Sequence, residues 1–371
     1  MHDISQEWLT ATRRALHRIP ELDDDLPRTI AYVRGALDEL GDACEVFEPC
    51  TSTVCAWFDR GTRHATAVRA DMDALPVPEA SGAPYASEHP GQMHACGHDG
   101  HMTMVLALAR WLADHAAELP RSVLLVFQPA EETTGGAKRV CESGVFDRCG
   151  VDRIFGFHLW PDLPLGQVAT RAGALLASSN EVTVTMRGRG AHIAKWQEGH
   201  DALRACVDCV HAALDGMDAL ATREPALLRF GQMDGGTVRN AIAETAVARG
   251  SLRTFCAADH EAAEALLSDA AARAAAAQGC EATVHLSEGY PAVTNDSELL
   301  RLVRSAVPEL AELPEPLLIA EDFAWYQQWI PGVFLLLGTG TGIPLHAATW
   351  DFDERVLAHG LAVYQRLVLL G

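Results

Sequence analysis

The feature of this sequence that most restricts its fold is a regular alternation of helical and strand-like segments before residue 160. Helical periodicity marks residues 5–19, 26–41 and 100–119, and short apolar runs typical of buried strands occupy residues 53–58, 65–70, 122–127 and 153–159. Alternation of this kind predicts an α/β domain, in which a sheet is covered by helices on both faces.

The middle of the chain follows a different order. Residues 175–288 read as strand, helix, strand, strand, helix and strand, with an alanine-rich helix that ends at Gly279. This order is typical of a small ferredoxin-like α+β unit. The α/β style then returns, so we expect a discontinuous domain of residues 1–174 and 289–371 that is interrupted by an inserted domain of residues 175–288.

Composition narrows the classes of function. The 371 residues are 49% hydrophobic and carry a formal net charge of −21, which disfavours nucleic acids and anionic membranes as partners because both require a basic surface. No apolar run approaches the roughly 20 residues that span a bilayer, and the first residues lack the apolar region of a signal peptide. We therefore expect a soluble, cytoplasmic protein.

The ten cysteines follow no disulfide framework, so buried or metal-binding thiols are expected. Cys206 and Cys209 have C-x-x-C spacing, but they lie in a helical run without a second such pair, which favours helix packing. The stretch MHACGHDGHM, residues 93–102, is more informative. By itself it is compatible with a metal site, with a cysteine nucleophile and its base, or with a polar loop.

Partners for a metal site lie at other strand ends. Asp71 and Asp73 follow residues 65–70, and further acids and histidines follow later strands or occupy a Gly- and Pro-containing loop. Ligand sites in open α/β sheets form beyond the carboxyl ends of the strands, so these groups are expected to converge. The candidate metal ligands are Cys96, His98, Glu132, His158 and His346.

Mixed thiolate, imidazole and carboxylate ligands suit Zn²⁺ or Mn²⁺, with Co²⁺ or Ni²⁺ as alternatives. Five ligands exceed the four of a closed structural zinc site, which favours a catalytic centre with two metal ions about 3.5–4 Å apart. Glu131 and Glu132 are adjacent, so their side chains point to opposite sides of an extended segment, and one can bind metal while the other stays free as general base. A nucleophilic Cys96 would leave the other acids and histidines unexplained.

Eight motifs, in this order, carry a family resemblance: HRIPEL, RADMDALPV, MHACGHDGHM, FQPAEE, SGVF, FGFHLWP, EDFAWY and LHAATWDFDE. They resemble the dimetal amidohydrolases of the aminoacylase/carboxypeptidase superfamily, in the branch of N-acyl-amino-acid amidohydrolases that includes hippurate hydrolases and indole-acetyl-amino-acid hydrolases. The similarity extends from about residue 15 to about residue 360.

The resemblance implies a zinc-peptidase-like catalytic domain, a mixed sheet flanked by helices, with the ferredoxin-like insert as a lid. It implies metal-dependent hydrolysis of the amide bond of N-acyl amino acids, with two divalent ions on the five ligands and Glu131 as base. Asp71 and Asp73 stand where related peptidases have a metal-binding His-x-Asp, and here the resemblance implies that they support ligands.

For the lid, the resemblance implies that His192 reaches the substrate carbonyl, in dimeric relatives often from the partner subunit, and that Asn240 and Arg253 hold the substrate carboxylate. It also implies a homodimer formed through the lid. Trp196 and Ala243 depart from the family pattern at the pocket rim. A dipeptidase or carboxypeptidase on the same scaffold, and a non-catalytic binding relative, remain as alternatives.

Overall fold

A computed structural model describes all 371 residues, which form two units. The first contains residues 1–175, 294–315 and 322–371, and the second contains residues 176–293 and 316–321. The second unit is therefore larger than the inserted domain expected from the sequence pattern. Residues 316–321 join it because the amide of Ala177 donates to the carbonyl oxygens of Leu317 at 3.1 Å and Ile319 at 2.9 Å.

The chain contains fourteen strands and nine α-helices. The strands are β1 (Glu45–Phe47), β2 (Val54–Phe58), β3 (Ala65–Asp71), β4 (Ser122–Gln128), β5 (Val151–Trp160), β6 (Val168–Thr170), β7 (Gly173–Leu176), β8 (Asn180–Arg187), β9 (Leu227–Gly235), β10 (Thr245–Arg253), β11 (Glu281–Leu286), β12 (Val293–Asn295), β13 (Ala311–Glu312) and β14 (Gly332–Gly338). The helices are α1 (Gln6–His17), α2 (Pro27–Asp38), α3 (His98–His115), α4 (Gly136–Glu142), α5 (Val145–Cys149), α6 (Ala202–Ala219), α7 (Ala257–Gln278), α8 (Ser297–Ala306) and α9 (Val356–Val368).

The core of the first unit is an eight-stranded mixed sheet with the order β1-β2-β4-β3-β5-β14-β6-β13. Its four central strands, β4, β3, β5 and β14, are parallel to one another, and the strands that flank them, β2 and β6, are antiparallel to β4 and β14. Every residue of β3, β4 and β14 is buried, as expected for parallel strands that are covered on both faces. The carboxyl ends of these strands lie at one edge of the sheet, and the α/β prediction is confirmed.

Helix α3 is the most buried helix of this unit, because apolar residues surround it almost completely. It begins at His98, directly after Gly97, whose φ of 90° is readily adopted only by glycine. A Cβ atom at Gly97 would lie 3.0 Å from the Leu159 side chain of β5. The glycine therefore allows the loop before α3 to approach the sheet closely.

The second unit contains a four-stranded antiparallel sheet with the order β11-β8-β10-β9. Along β8 the buried residues alternate with more accessible ones, and Val182, Val184 and Met186 share a core with residues of α6 and α7. Helix α7 ends at Gly279, which has a φ of 66°. The predicted ferredoxin-like order is confirmed.

All ten cysteines are free thiols. Cys206 and Cys209 are buried on α6 within the core of the second unit, in agreement with the packing role that their helical surroundings indicate. None of the helices combines the length and the apolar character that a membrane crossing requires.

Candidate metal centre

The candidate ligands of the first unit come from neighbouring strand ends and from the start of one helix. Strand β4 is followed by Pro129, Ala130 and the two glutamates, β5 carries His158 two residues before its end, and α3 begins at His98. Because β4, β3 and β5 are adjacent and parallel, their carboxyl ends bring these side chains to one place.

Two groups of donor atoms share the thiol of Cys96. In the first, the side chains of Cys96, His98 and His158 have donor atoms within 4.8 Å of one another. In the second, the same holds for Cys96, Glu132 and His346. Together the two groups contain the five residues that the sequence nominates as ligands, and a thiolate common to both suits a pair of neighbouring cations.

His98 is oriented for binding through one ring nitrogen. Its Nδ1 lies 2.8 Å from the backbone oxygen of Asp73, which can only accept, so Nδ1 carries the proton and Nε2 presents a lone pair. This Nε2 is buried without a hydrogen-bond partner. Carboxylate oxygens of Asp71, Glu132 and Glu131 lie 3.7, 3.8 and 4.0 Å from it. An unpartnered lone pair among three carboxylates fits a bound cation.

His158 has a similar arrangement. Its Nδ1 donates to the backbone oxygen of Leu159 at 2.7 Å, and its Nε2 lies 3.3 Å from the Sγ atom of Cys96. Burial lowers the pKa of the His158 imidazole to about 3, so the ring is neutral, as a metal ligand must be. Burial, with Glu132 and Glu131 nearby, raises the pKa of the Cys96 thiol well above its usual value. A cation at this position would favour the thiolate.

The position of His346 is fixed by a backbone hydrogen bond and by an unusual backbone conformation. Its φ of 65° is unusual for a residue with a side chain, and its amide donates to the carbonyl of Ala95 at 2.8 Å. The ring Nε2 lies 3.4 Å from Oε1 of Glu132, and this contact raises the pKa of His346. The imidazole is half exposed, unlike those of His98 and His158, so it borders the accessible side of the site.

The carboxylate of Asp73 fixes the backbone of Glu131 and Glu132. Its Oδ1 accepts the backbone N–H of Glu131 and its Oδ2 accepts that of Glu132, each at 3.0 Å. Burial raises the pKa of Asp73 well above its usual value, with Glu132 and Asp71 acting in the same direction. Its side chain therefore fixes the backbone of the glutamate pair and lies 3.7 Å from Nδ1 of His98.

His101 lies close to the candidate ligands, yet both of its ring nitrogens are occupied. Its Nδ1 is 2.7 Å from Oδ1 of Asp71, and its Nε2 accepts the amide of Leu159 at 2.9 Å. The ring stacks on His98 with centroids 5.4 Å apart. His101 supports the candidate ligands, a role that sequence reasoning did not assign, although its position one helical turn after His98 was the available signal.

A second group missed from the sequence is a buried ionic cluster around Asp99, the neighbour of His98. Arg13 Nε lies 2.8 Å and His17 Nδ1 2.7 Å from Oδ2 of Asp99, and His17 Nε2 lies 3.2 Å from Glu79. Burial alone would lower the pKa of His17, but the hydrogen bonds to Asp99 and Glu79 outweigh it and raise the pKa to about 9. The cluster therefore anchors the first turn of α3 to α1.

The remaining predicted site residues belong to the second unit. His192 and Asn240 are both exposed and lie on adjoining loops, because the Ile193 amide donates to the Asn240 carbonyl at 3.0 Å. Arg253 ends β10 and is half-buried, and no carboxylate acts on its guanidinium. Trp196 is exposed, whereas Ala243 is buried.

Comparison with known proteins identifies the family. Residues 67–370 match the model of peptidase family M20/M25/M40. The N-acetyl-L-cysteine deacetylase of Bacillus subtilis is 33% identical, over 95% of this chain and 85% of that protein, and an IAA-amino acid hydrolase of Arabidopsis thaliana is 32% identical, over 96% and 84%.

Among solved structures, the YXEP protein of Bacillus subtilis, described as a dinuclear metal binding peptidase of the M20 family, superimposes with a TM-score of 0.87 at 30% identity, covering 98% of this chain and 97% of that one. The resemblance inferred from the motifs is thus confirmed. The chain belongs to peptidase family M20/M25/M40 and is an amidohydrolase.

Proposed function

We propose that this protein hydrolyses the amide bond of N-acyl amino acids, using two divalent cations held by Cys96, His98, Glu132, His158 and His346. The observation that carries the proposal is the pair of donor groups that share Cys96. Relatives named as an N-acetyl-L-cysteine deacetylase and an IAA-amino acid hydrolase support the substrate class, because both names describe cleavage of an acyl group from an amino acid.

The donor set favours Zn²⁺ or Mn²⁺, with Co²⁺ or Ni²⁺ as alternatives. When bound, the cations would supply Lewis acidity toward the amide carbonyl and the attacking water. His98 and His158 would bind the cations as neutral rings through Nε2, because Nδ1 of each ring donates to a backbone carbonyl. Asp71 and Asp73 serve as supports for this arrangement.

Glu131 is the proposed general base. Its backbone and that of Glu132 are fixed by the same Asp73 carboxylate, and the side chain is buried beside His98. It accepts the proton of the attacking water and delivers it to the amine nitrogen, which otherwise is a poor leaving group. Glu132 binds metal while Glu131 moves the proton, so the adjacent acids divide the work.

Arg253 and Asn240 are the proposed partners of the substrate carboxylate, and His192 is the proposed donor to the developing oxyanion. No carboxylate of the chain acts on the Arg253 guanidinium, which is therefore suited to a bidentate pair with a substrate carboxylate. Burial lowers the pKa of Arg253, yet an arginine at the surface of a site remains charged.

We also propose a homodimer formed through the second unit. Strand β9 is an edge of its sheet, and its last five residues, among them Met233, are exposed, as is Val238 in the loop that follows. An open strand edge with exposed apolar side chains readily pairs with a second copy. Light scattering on the purified protein tests this proposal, and a monomer at all concentrations would contradict it.

The decisive experiment combines metal analysis with a substrate screen. Protein loaded with Zn²⁺ or Mn²⁺ is assayed against N-acetyl, benzoyl and indole-acetyl amino acids and against unblocked dipeptides. We expect two ions per chain and cleavage of acyl amino acids. Preferential cleavage of dipeptides would assign a dipeptidase instead, and no cleavage of any acyl amino acid by the loaded protein would contradict the proposed substrate class.

A further inference from the structure

Arg69 is a fully buried arginine inside β3 to which the proposed mechanism gives no role. Its guanidinium contacts three side chains. Nε donates to Oε1 of Gln128 at 2.9 Å, Nη1 to Oδ2 of Asp71 at 2.7 Å, and Nη2 to Oδ1 of Asp322 at 2.8 Å. Burying a charged arginine is costly unless all of these contacts are kept.

Asp322 belongs to the EDFAWY motif, which also has no assigned role. Its second oxygen accepts from Nε2 of Gln128 at 2.7 Å and from the amide of Ala137 at 2.9 Å. The hydroxyl of Tyr326 donates to Gln128 at 2.9 Å. Buried hydrogen bonds among Arg69, Gln128 and Asp322 therefore fix Nε and Nη2 of the guanidinium. The third nitrogen, Nη1, donates to Asp71.

Distance alone does not decide which carboxylate joins a cation on His98. The free Nε2 of His98 lies 3.7 Å from Oδ2 of Asp71 and 3.8 Å from Oε1 of Glu132. The two carboxylates differ in their other partners. Oδ2 of Asp71 is the atom that Arg69 holds, and Oδ1 is the atom that His101 holds.

We propose that Arg69, anchored by Asp322, is a positioning residue that keeps Asp71 out of the metal coordination shell, so that Glu132 is the carboxylate that binds. This inference rests on the proposed two-metal centre. A further anionic ligand would donate electron density to the cations and weaken their Lewis acidity. The ion pair therefore maintains both the ligand set and the reactivity of the centre.

Co²⁺ substitution tests the proposal, because the visible absorption of Co²⁺ weakens when its coordination number rises. Calorimetric titration gives the stoichiometry. We expect Asp71→Asn to keep two ions and the wild-type bands, because Asp71 is not a ligand. We expect Arg69→Met to lose visible intensity, because Asp71 is released toward the cation. The double variant Arg69→Met/Asp71→Asn should recover the wild-type bands.

Arg153→Met is the matched control. Arg153 is also a buried arginine in the same sheet, on β5, but its guanidinium contacts Thr66 and the carbonyl of Gly371. It should leave the bands unchanged, whereas a loss there would attribute the effect to general loosening of the sheet.

Three results distinguish a failure of the Arg69 inference from a failure of the proposed two-metal centre. Altered bands or a lost ion in Asp71→Asn would overturn the inference even if Arg69→Met does not fold, as judged by circular dichroism. Wild-type bands in a folded Arg69→Met would overturn it as well. If the wild type itself binds fewer than two Co²⁺ ions, the proposed metal centre fails first.

Discussion

The Sγ atom of Cys96 lies 3.3 Å from Nε2 of His158. The hydrogen bond between these two atoms is weak, because a thiol is a weak donor. Two groups that each prefer a cation are thus placed side by side in a buried site. This relationship makes Cys96 the most sensitive point of the proposed centre.

Replacing Cys96 by alanine should remove the ligand common to both donor groups. We expect the metal content of Cys96→Ala to fall from two ions to at most one per chain, measured by elemental mass spectrometry after dialysis. Cys206→Ala, a change at a buried thiol of α6, is the control and should retain both ions. Two tightly bound ions in Cys96→Ala would contradict the assignment.

Substitution of each adjacent glutamate should distinguish the role of Glu131 from that of Glu132. Glu131→Gln keeps size but cannot accept the proton, so turnover should fall by at least about 10²-fold while metal content stays unchanged. Glu132→Gln should lower both metal content and turnover, since it removes a ligand. Steady-state kinetics and metal analysis on the same samples check this. Near wild-type turnover in Glu131→Gln with both ions bound would exclude Glu131 as the base.

Arg253→Ala should weaken recognition of the substrate carboxylate. Loss of one charge-assisted contact costs about 1.5–3 kcal/mol, which corresponds to roughly a 10- to 100-fold lower kcat/KM. Amidating the substrate carboxylate should have a similar effect on the wild type and little further effect on the variant. Arg249→Ala, on the same strand with its guanidinium paired to Asp234, is the control. Equal rates in both variants would assign recognition to another group.

The ionic cluster at Asp99 predicts a pH dependence of stability. The folded pKa of His17 is about 9 against an ordinary 6.5, so its contribution is fully present below about pH 6.5 and is lost as the pH rises through 9. That contribution is on the order of 3 kcal/mol. Denaturant unfolding of wild type and His17→Asn at pH 6 and pH 10, with equal metal loading, checks it.

The stability difference between the two proteins should be large at pH 6 and should shrink at pH 10. A difference that is the same at both values would mean that His17 stabilises the protein without its charge. Glu79 should act in the opposite pH range, because its hydrogen bonds with His17, Ser81 and the Ser87 amide outweigh the effect of burial and lower its pKa to about 2. Its contribution is present above pH 4.5 and is lost as the pH falls through 2.

Much of the fold could be predicted because its signals are local. The apolar runs of β3, β4 and β5 are fully buried strands, and their positions place Asp71, Glu132 and His158 at one sheet edge. The ferredoxin-like order follows from alternating strands such as β8 and from an uninterrupted helix such as α7. Each of these features is contained within a few residues of sequence.

The supports of the site could not be predicted in the same way, because their partners are distant in sequence. Arg69 and Asp322 are 253 residues apart, and Arg13 and Asp99 are 86 apart. An arginine in a strand or an amphipathic helix is ordinarily a surface residue, so nothing local indicates that these two are buried. The membership of residues 316–321 in the second unit likewise depends on backbone hydrogen bonds to Ala177.

The hydrogen bonds from Asp73 reach the glutamates through their main chain, not through their side chains. Any amino acid other than proline offers the same amide, so the location of positions 131 and 132 is independent of what occupies them. The side chain at position 131 can therefore change without moving the backbone at that position. A library of side chains at position 131 would sample new reactivity beside the same ligands, while a change at Asp73 would displace every member of that library at once.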